Sequence, residues 1–294
     1  MPFTEILNVI LPTFAAIFIG YIIGKLIKID ITGLIDIIFY VGLPALAFVS
    51  VLSQKITLLD AAKVWAAGII VTLGCGVIAW VFFRLKKEKH SALYLPISLP
   101  NTLNIPFPIV SLAYGSAGLL VATLYYIPNL LMLYSVGVFV AAGGNWRENI
   151  KEVYRVPALY TAILALLLNL LHVNVPTLAT KTLDFIGGMV VPSVILALGY
   201  NLARVRITSF PTTIIASVIR VGGGLALGFL MVELFHMTGV FRSVTILMSA
   251  MPGAVNTYLL AAKYKNEPEL VASTVLVTTV ASLVMIPLLL HFLT

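Results

Sequence analysis

Residues 98–108 read S-L-P-N-T-L-N-I-P-F-P, and residues 249–257 read S-A-M-P-G-A-V-N-T. Both stretches lie inside long apolar runs. Proline removes a backbone donor and clashes with the preceding turn, so each run should break as a helix at its proline. At membrane depth, broken backbone is tolerated only where it is buried in protein or lines a cavity. The second half of a broken helix presents free N–H groups and a partial positive charge at its start. Such starts bind anions. Two of them would meet near the bilayer midplane, with Pro100 and Pro252 marking the crossing. Asn101, Asn104, Asn256, Thr102 and Thr257 would supply side-chain groups to a bound solute.

The surrounding chain fits that reading. Of 294 residues, 61% are hydrophobic and 10% charged, and the mean hydropathy is +1.09. Soluble domains carry about 25% charged residues, so lipid rather than water must be the main solvent. A crossing takes ~20 apolar residues. Apolar runs bounded by charges and turn residues give ten candidate spans, at roughly 5–25, 31–52, 61–84, 92–114, 118–141, 156–171, 179–202, 212–234, 242–262 and 269–291. The two broken runs are the fourth and the ninth. The longest polar stretch, 143–155, is a short link between a first half (1–142) and a second (156–294).

The halves resemble each other. Residues 35–44 (I-D-I-I-F-Y-V-G-L-P) and 183–192 (L-D-F-I-G-G-M-V-V-P) share their Asp-to-Pro spacing at an offset of 148. The pattern P-x-x-x-N recurs at 100–104 and 252–256, offset 152, and Y-G-S-A-G-L-L-V-A-T (114–123) parallels Y-K-N-E-P-E-L-V-A-S (264–273), offset 150. Three matches in nearly one register argue for duplication. Five spans per half invert the second copy, an arrangement that marks transporters.

Thirteen of the 18 Lys and Arg residues fall after odd-numbered spans and four on the opposite side. Cytoplasmic loops carry the basic excess, which places the odd loops in the cytoplasm and both termini outside a cell membrane. The net charge of +7 is therefore read as topology rather than nucleic-acid binding. Cys75 stands alone, so neither an intrachain disulfide nor a cysteine cluster can form. His90, His172, His236 and His291 are far apart near span ends and suit no metal site. No cofactor is expected. No H-E-x-x-H, G-x-S-x-G or paired intramembrane carboxylates appear, so an enzyme is unsupported.

Asp36, Asp184 and Arg220 are charged residues within the spans that call for an account. Asp36 and Asp184 occupy matching positions near the starts of spans 2 and 7, and are read as coupling groups or as structural, water-exposed carboxylates. Arg220 in span 8 has three open readings: attraction of the anion, an ion pair with a carboxylate from another span, or snorkelling to the surface. Gly20 and Gly24 form G-x-x-x-G, a close-packing signal, and the run Gly222-Gly223-Gly224 is read the same way. Tyr125, Tyr126 and Asn129 are cavity candidates beside the kink at Pro128.

S-L-P-N-T-L-N-I-P and A-M-P-G-A-V-N-T-Y-L-L-A-A-K-Y resemble the two crossover helices of the auxin efflux carrier family, which includes the plant auxin exporters. The likeness covers essentially the whole chain, with the short central link of prokaryotic members. It implies an all-α integral membrane fold of ten transmembrane helices, a 5+5 inverted repeat like that of sodium–proton antiporters and bile-acid symporters. It further implies that spans 3–5 and 8–10 move against spans 1–2 and 6–7 by an elevator mechanism, around an organic-anion site. Asn101 is the position expected to meet the substrate carboxylate, and a homodimer is implied. The plant exporters carry a second amide in N-P-N-T-Y. Here the corresponding residues 156–160 read V-P-A-L-Y, and Ala158 replaces that amide, which argues against auxin itself. A small carboxylate such as a dicarboxylic acid is the expected substrate. The competing reading is a sodium- or proton-coupled carrier on the same fold.

Overall fold

The computed structural model describes residues 3–52, 57–88, 90–142, 157–203 and 208–293, without the side chains of 3–7, 9 and 10. The central link and Lys55, Lys89, Arg147, Lys151, Arg155, Arg204 and Arg206, on which much of the charge-bias reading rests, lie outside the described residues. Among the described residues the secondary structure is helical, apart from one isolated antiparallel bridge between Pro100 and Gly253.

In chain order the α-helices are α1 (Phe3–Leu26), α2 (Thr32–Ile37), α3 (Leu43–Leu52), α4 (Leu58–Lys86), α5 (Tyr94–Ser98), α6 (Pro106–Met132) and α7 (Val138–Ala141). There follow α8 (Pro157–Leu170), α9 (Thr177–Gly187), α10 (Val190–Leu202), α11 (Phe210–Val218), α12 (Gly224–Leu234), α13 (Gly239–Ser249), α14 (Val255–Lys263) and α15 (Pro268–Leu293). Wider π-turns join α2 to α3 (Ile38–Gly42), α6 to α7 (Leu133–Gly137) and α11 to α12 (Ile219–Gly223). Six continuous helical stretches are long and apolar enough to cross a membrane, namely 32–52, 58–86, 106–141, 177–202, 210–234 and 268–293. Leu11–Leu26, Pro157–Leu170 and Gly239–Ser249 are shorter apolar helices. Gly115, at φ 61° and ψ −148°, interrupts α6 where the sequence ends its fourth span.

Local chemistry sets the ends. Thr57 begins α4 as its N-cap, its hydroxyl accepting from Asp60 N at 3.1 Å and donating to the Asp60 carboxylate at 2.7 Å. Lys87 closes the helix in the left-handed conformation (φ 58°). The N–H groups of Lys87 and Glu88 donate to the last carbonyls, at Arg84 and Phe83. Outward faces are apolar: Val77 and Val284 are 58% and 66% exposed. Such a belt suits lipid, whose tails are as apolar as the side chains.

Packing divides the helices into two groups. In the first, α1 lies along α10, and α3 lies against α8 and α9. Small residues set the α1–α10 distance. A Cβ on Gly20 would stand 2.2 Å from the Leu196 carbonyl oxygen, and one on Gly199 would stand 2.0 Å from that of Ile17. The G-x-x-x-G signal is thus a backbone contact. In the second group α4, α6, α13 and α12 pack together, with α15 against α11 and α14. Fewer contacts join the groups, chiefly α3 and α1 against α6, and α1 against α15.

Candidate functional site

The backbone breaks at both prolines. α5 ends at Ser98 and helix resumes at Pro106; α13 ends at Ser249 and helix resumes at Val255. The two gaps pair with each other. Asn101 N donates to the Pro252 carbonyl at 2.6 Å, and Ala254 N donates to the Leu99 carbonyl at 3.0 Å. Gly253 N donates to Thr278 Oγ1 at 3.1 Å. A side chain at 253 would crowd Pro96, whose carbonyl oxygen would lie 3.0 Å from its Cβ. These bonds satisfy part of the backbone freed by the breaks inside the protein, as a low-dielectric setting requires.

Beside this pairing lies a cavity with about 930 Å³ of empty space, its open mouth included. Asn101, Thr102 and Asn104 reach it from the first break, and Ala254, Val255 and Asn256 from the second. The facing walls are largely apolar. Ile38, Phe39 and Leu43 come from the second span, Val194 and Leu198 from α10, and Leu130 and Leu133 from the fifth span. The lining includes Ile35 of α2, Asn201 at the end of α10 and Leu259 of α14. Among the described residues, none that lines it is acidic or basic.

Asn101 is 3% exposed. Its Oδ1 accepts from Asn104 N at 2.9 Å, with a longer contact to Leu103 N at 3.4 Å. That fixes the amide orientation and turns Nδ2 the other way, where it is buried without a partner among the described residues. A buried donor left unsatisfied costs about 1–3 kcal/mol. The second break adds further donors. No side chain caps the start of α14, which leaves it the free donors and positive pole of a helix start. The start of α6 differs: Pro106 and Pro108 bring no N–H, and Phe107 N donates to the Leu103 carbonyl at 3.2 Å. At α14 the N–H of Thr257 likewise donates, to the Ala254 carbonyl at 3.0 Å, and those of Val255 and Asn256 remain at the helix start.

Other sequence candidates fall elsewhere. Thr257 is fully buried, does not line the cavity, and donates to the Ala254 carbonyl. Pro252 takes part through its carbonyl only. Asp36 is exposed on α2 and lines no described cavity. Asp184 is exposed in a separate cleft with Lys181, Ser50 and Ser116. Just after each aspartate the helix is disturbed, by the π-turn at Ile38–Gly42 and by the gap between Gly187 and Val190. Asn129 lines the cavity but is engaged, donating to the Tyr125 carbonyl at 3.0 Å and accepting from Thr72 at 2.7 Å. Tyr125 is fully buried and donates to Ser249 Oγ, which donates on to the Thr245 carbonyl.

Arg220 does not snorkel. It is fully buried, ion-pairs with no carboxylate among the described residues, and donates only to backbone carbonyls, at Ile97, Ser98 and Ser249. The glycine run beside it is not uniform. A Cβ on Gly222 would meet open space, whereas one on Gly224 would strike the Arg220 guanidinium at 2.1 Å and the Ser249 carbonyl oxygen at 2.2 Å. Asn201 was not anticipated. An amide ending an apolar run looks like an interface residue, and only the fold brings it to the cavity.

The family model described as membrane transport protein matches residues 5–154 and 146–290. An uncharacterized transporter of Methanocaldococcus jannaschii is 26% identical over 300 residues, which cover 96% of this chain and 97% of that protein. An uncharacterized transporter of Methanothermobacter thermautotrophicus is 26% identical over 292 residues, 95% of each.

Proposed function

Because the chain belongs to the membrane transport protein family, the auxin efflux carrier family of the sequence resemblance, we propose that it is a secondary carrier that moves a small organic carboxylate by alternating access. The observation that carries this reading is the unpartnered Nδ2 of Asn101, beside the uncapped start of α14, in a cavity with no charged wall. One carboxylate oxygen would accept from Asn101, and the other would take N–H groups of α14, with Asn104 and Asn256 at the edge of the site. The remaining walls are largely apolar, with the amides of Asn129 and Asn201 among them, so the substrate has one carboxylate head and a mainly apolar body. A dicarboxylate would leave its second charge against Leu130 and Val194 with no matching set of donors.

The ten-span inverted repeat belongs to the same proposal. The interruption at Gly115 separates spans 4 and 5, and the two paired breaks serve as the crossover. The elevator unit is the packing group of spans 3–5 and 8–10, moving against spans 1–2 and 6–7. Ile35, Asn201 and Leu259 lie towards the loops that the charge bias assigns to the cytoplasm, so the cavity is open inward. A sodium site is the weaker reading. Crossover carbonyls at Leu99 and Pro252 already accept hydrogen bonds, and no carboxylate lines the cavity.

The test is uptake of labelled monocarboxylates into proteoliposomes, by counterflow from lumens preloaded with the same acid. Saturable uptake that needs the protein supports the carrier. Absence of counterflow for every acid, alongside sodium-driven movement of a cation, removes it.

A further inference from the structure

Arg220 spans the two broken helices. Its Nη1 donates to the carbonyls of Ile97 and Ser98 at 2.9 and 3.1 Å, the last residues of α5. Its Nη2 donates to the carbonyl of Ser249, the last residue of α13. These are the two C-terminal ends at the breaks. The side chain is fully buried, and its Nε has no partner among the described residues. A π-turn covers Arg220 and its neighbours, Ile219–Gly223, the kind of local widening that frequently accompanies a functional site. Gly224 leaves the room that the guanidinium fills against Ser249.

The electrostatics follow from the geometry. A broken helix presents both poles: a positive one where it resumes and a negative one where it stops, of up to about half a charge each. An anion at the break would feel attraction from the first and repulsion from the second. One guanidinium bonded to both stopping ends opposes both negative poles at once. The positive start of α14 is then left uncancelled. Arg220 does not line the cavity, but Leu99, the residue after its partner Ser98, does.

We propose that Arg220 is a charge-selecting positioning residue: without touching the substrate, it neutralises the two helix C-termini at the breaks and so makes the site select an anion over its neutral isostere. The inference rests on the carboxylate reading above. A residue that merely held the helices together would affect charged and neutral ligands alike, and this difference supplies the test.

The experiment compares binding of an apolar monocarboxylate and its primary amide to the purified wild type, Arg220→Gln and Arg220→Lys, by calorimetry and thermal shift. In Arg220→Gln the acid is expected to weaken by roughly tenfold or more relative to the amide. Arg220→Lys, which keeps the charge, should retain the preference for the acid even if its melting temperature falls. Should the Gln variant not fold, the Lys variant carries the test, and loss of its acid preference overturns the proposal. Equal weakening of acid and amide in Arg220→Gln, or none, also overturns it and leaves the carrier reading in place. A wild type that binds neither acid nor amide sinks the carrier reading and this inference together.

Discussion

Asn101→Asp separates two tasks that one side chain performs. The Oδ1 side supports the backbone after the first break, through Asn104 N at 2.9 Å. The Nδ2 side has no partner among the described residues and is the group proposed to meet the substrate. Aspartate keeps the shape and the acceptor but replaces the donor with an oxygen bearing charge. Losing a hydrogen bond to a charged group costs about 1.5–3 kcal/mol, which is roughly a 10- to 100-fold weaker dissociation constant. Repulsion between two carboxylates adds to that figure. Asn101→Ala removes both tasks, so it should weaken binding by a similar factor and also cost about 0.5–1.5 kcal/mol of stability, the typical worth of one hydrogen bond. The assay is paired: calorimetric titration with the monocarboxylate for affinity, and melting of the unliganded protein for stability. Wild-type affinity in Asn101→Asp refutes the assignment of Nδ2 to the substrate. Equal melting of the Ala and Asp variants refutes the structural half.

Further predictions concern the frame around the site. Gly199→Ala should cost about 1–3 kcal/mol by overpacking against α1, because its Cβ would lie 2.0 Å from a carbonyl oxygen. Gly33→Ala, which meets nothing within 4 Å, should melt at or above the wild-type temperature; detergent melting curves read both. Thr72→Val leaves the buried Asn129 Oδ1 without its 2.7 Å donor and should cost about 1–3 kcal/mol, measured the same way. Asp36→Asn and Asp184→Asn alter exposed side chains outside the cavity. Uptake in both should remain at the wild-type rate, and a collapse of its pH dependence would restore them as coupling groups.

The residues that were legible in the sequence act locally. Helix continues through Pro12, Pro128 and Pro287, so proline alone does not force a break; at Pro100 and Pro252 the repeated P-x-x-x-N pattern supplied the second signal, and the helix does stop there. Asn101 and Asn104 belong to the same short segment and travel with it. Gly20 and Gly24 carried a packing signal that needs only a partner helix, and α10 is that partner. What was not legible depends on groups distant in the chain. The hydroxyl of Thr257 was expected at the substrate, yet it turns back to the Ala254 carbonyl three residues before it. Span periodicity does not reveal such a choice. Arg220 reaches carbonyls 122 and 29 residues away, and charge alone suggested a carboxylate partner. Gly222 and Gly224 are alike in sequence, but only Gly224 faces the guanidinium. The apolar walls of the cavity come from spans 2, 5 and 7 together, so no single motif encodes them.

Whether a carboxylate binds where the two breaks meet decides the proposed function. The most direct measurement is a thermal-shift titration of the purified protein with monocarboxylates of increasing apolar size, matched dicarboxylates, indole-acetate, neutral amides and sodium. A ligand at about a hundred times its dissociation constant adds roughly 2.7 kcal/mol to the native state. The account predicts saturable stabilisation by an apolar monocarboxylate, little from dicarboxylates or amides, and loss of the effect in Asn101→Asp. Stabilisation by sodium alone, or by carboxylates equally in the wild type and Asn101→Asp, would contradict it.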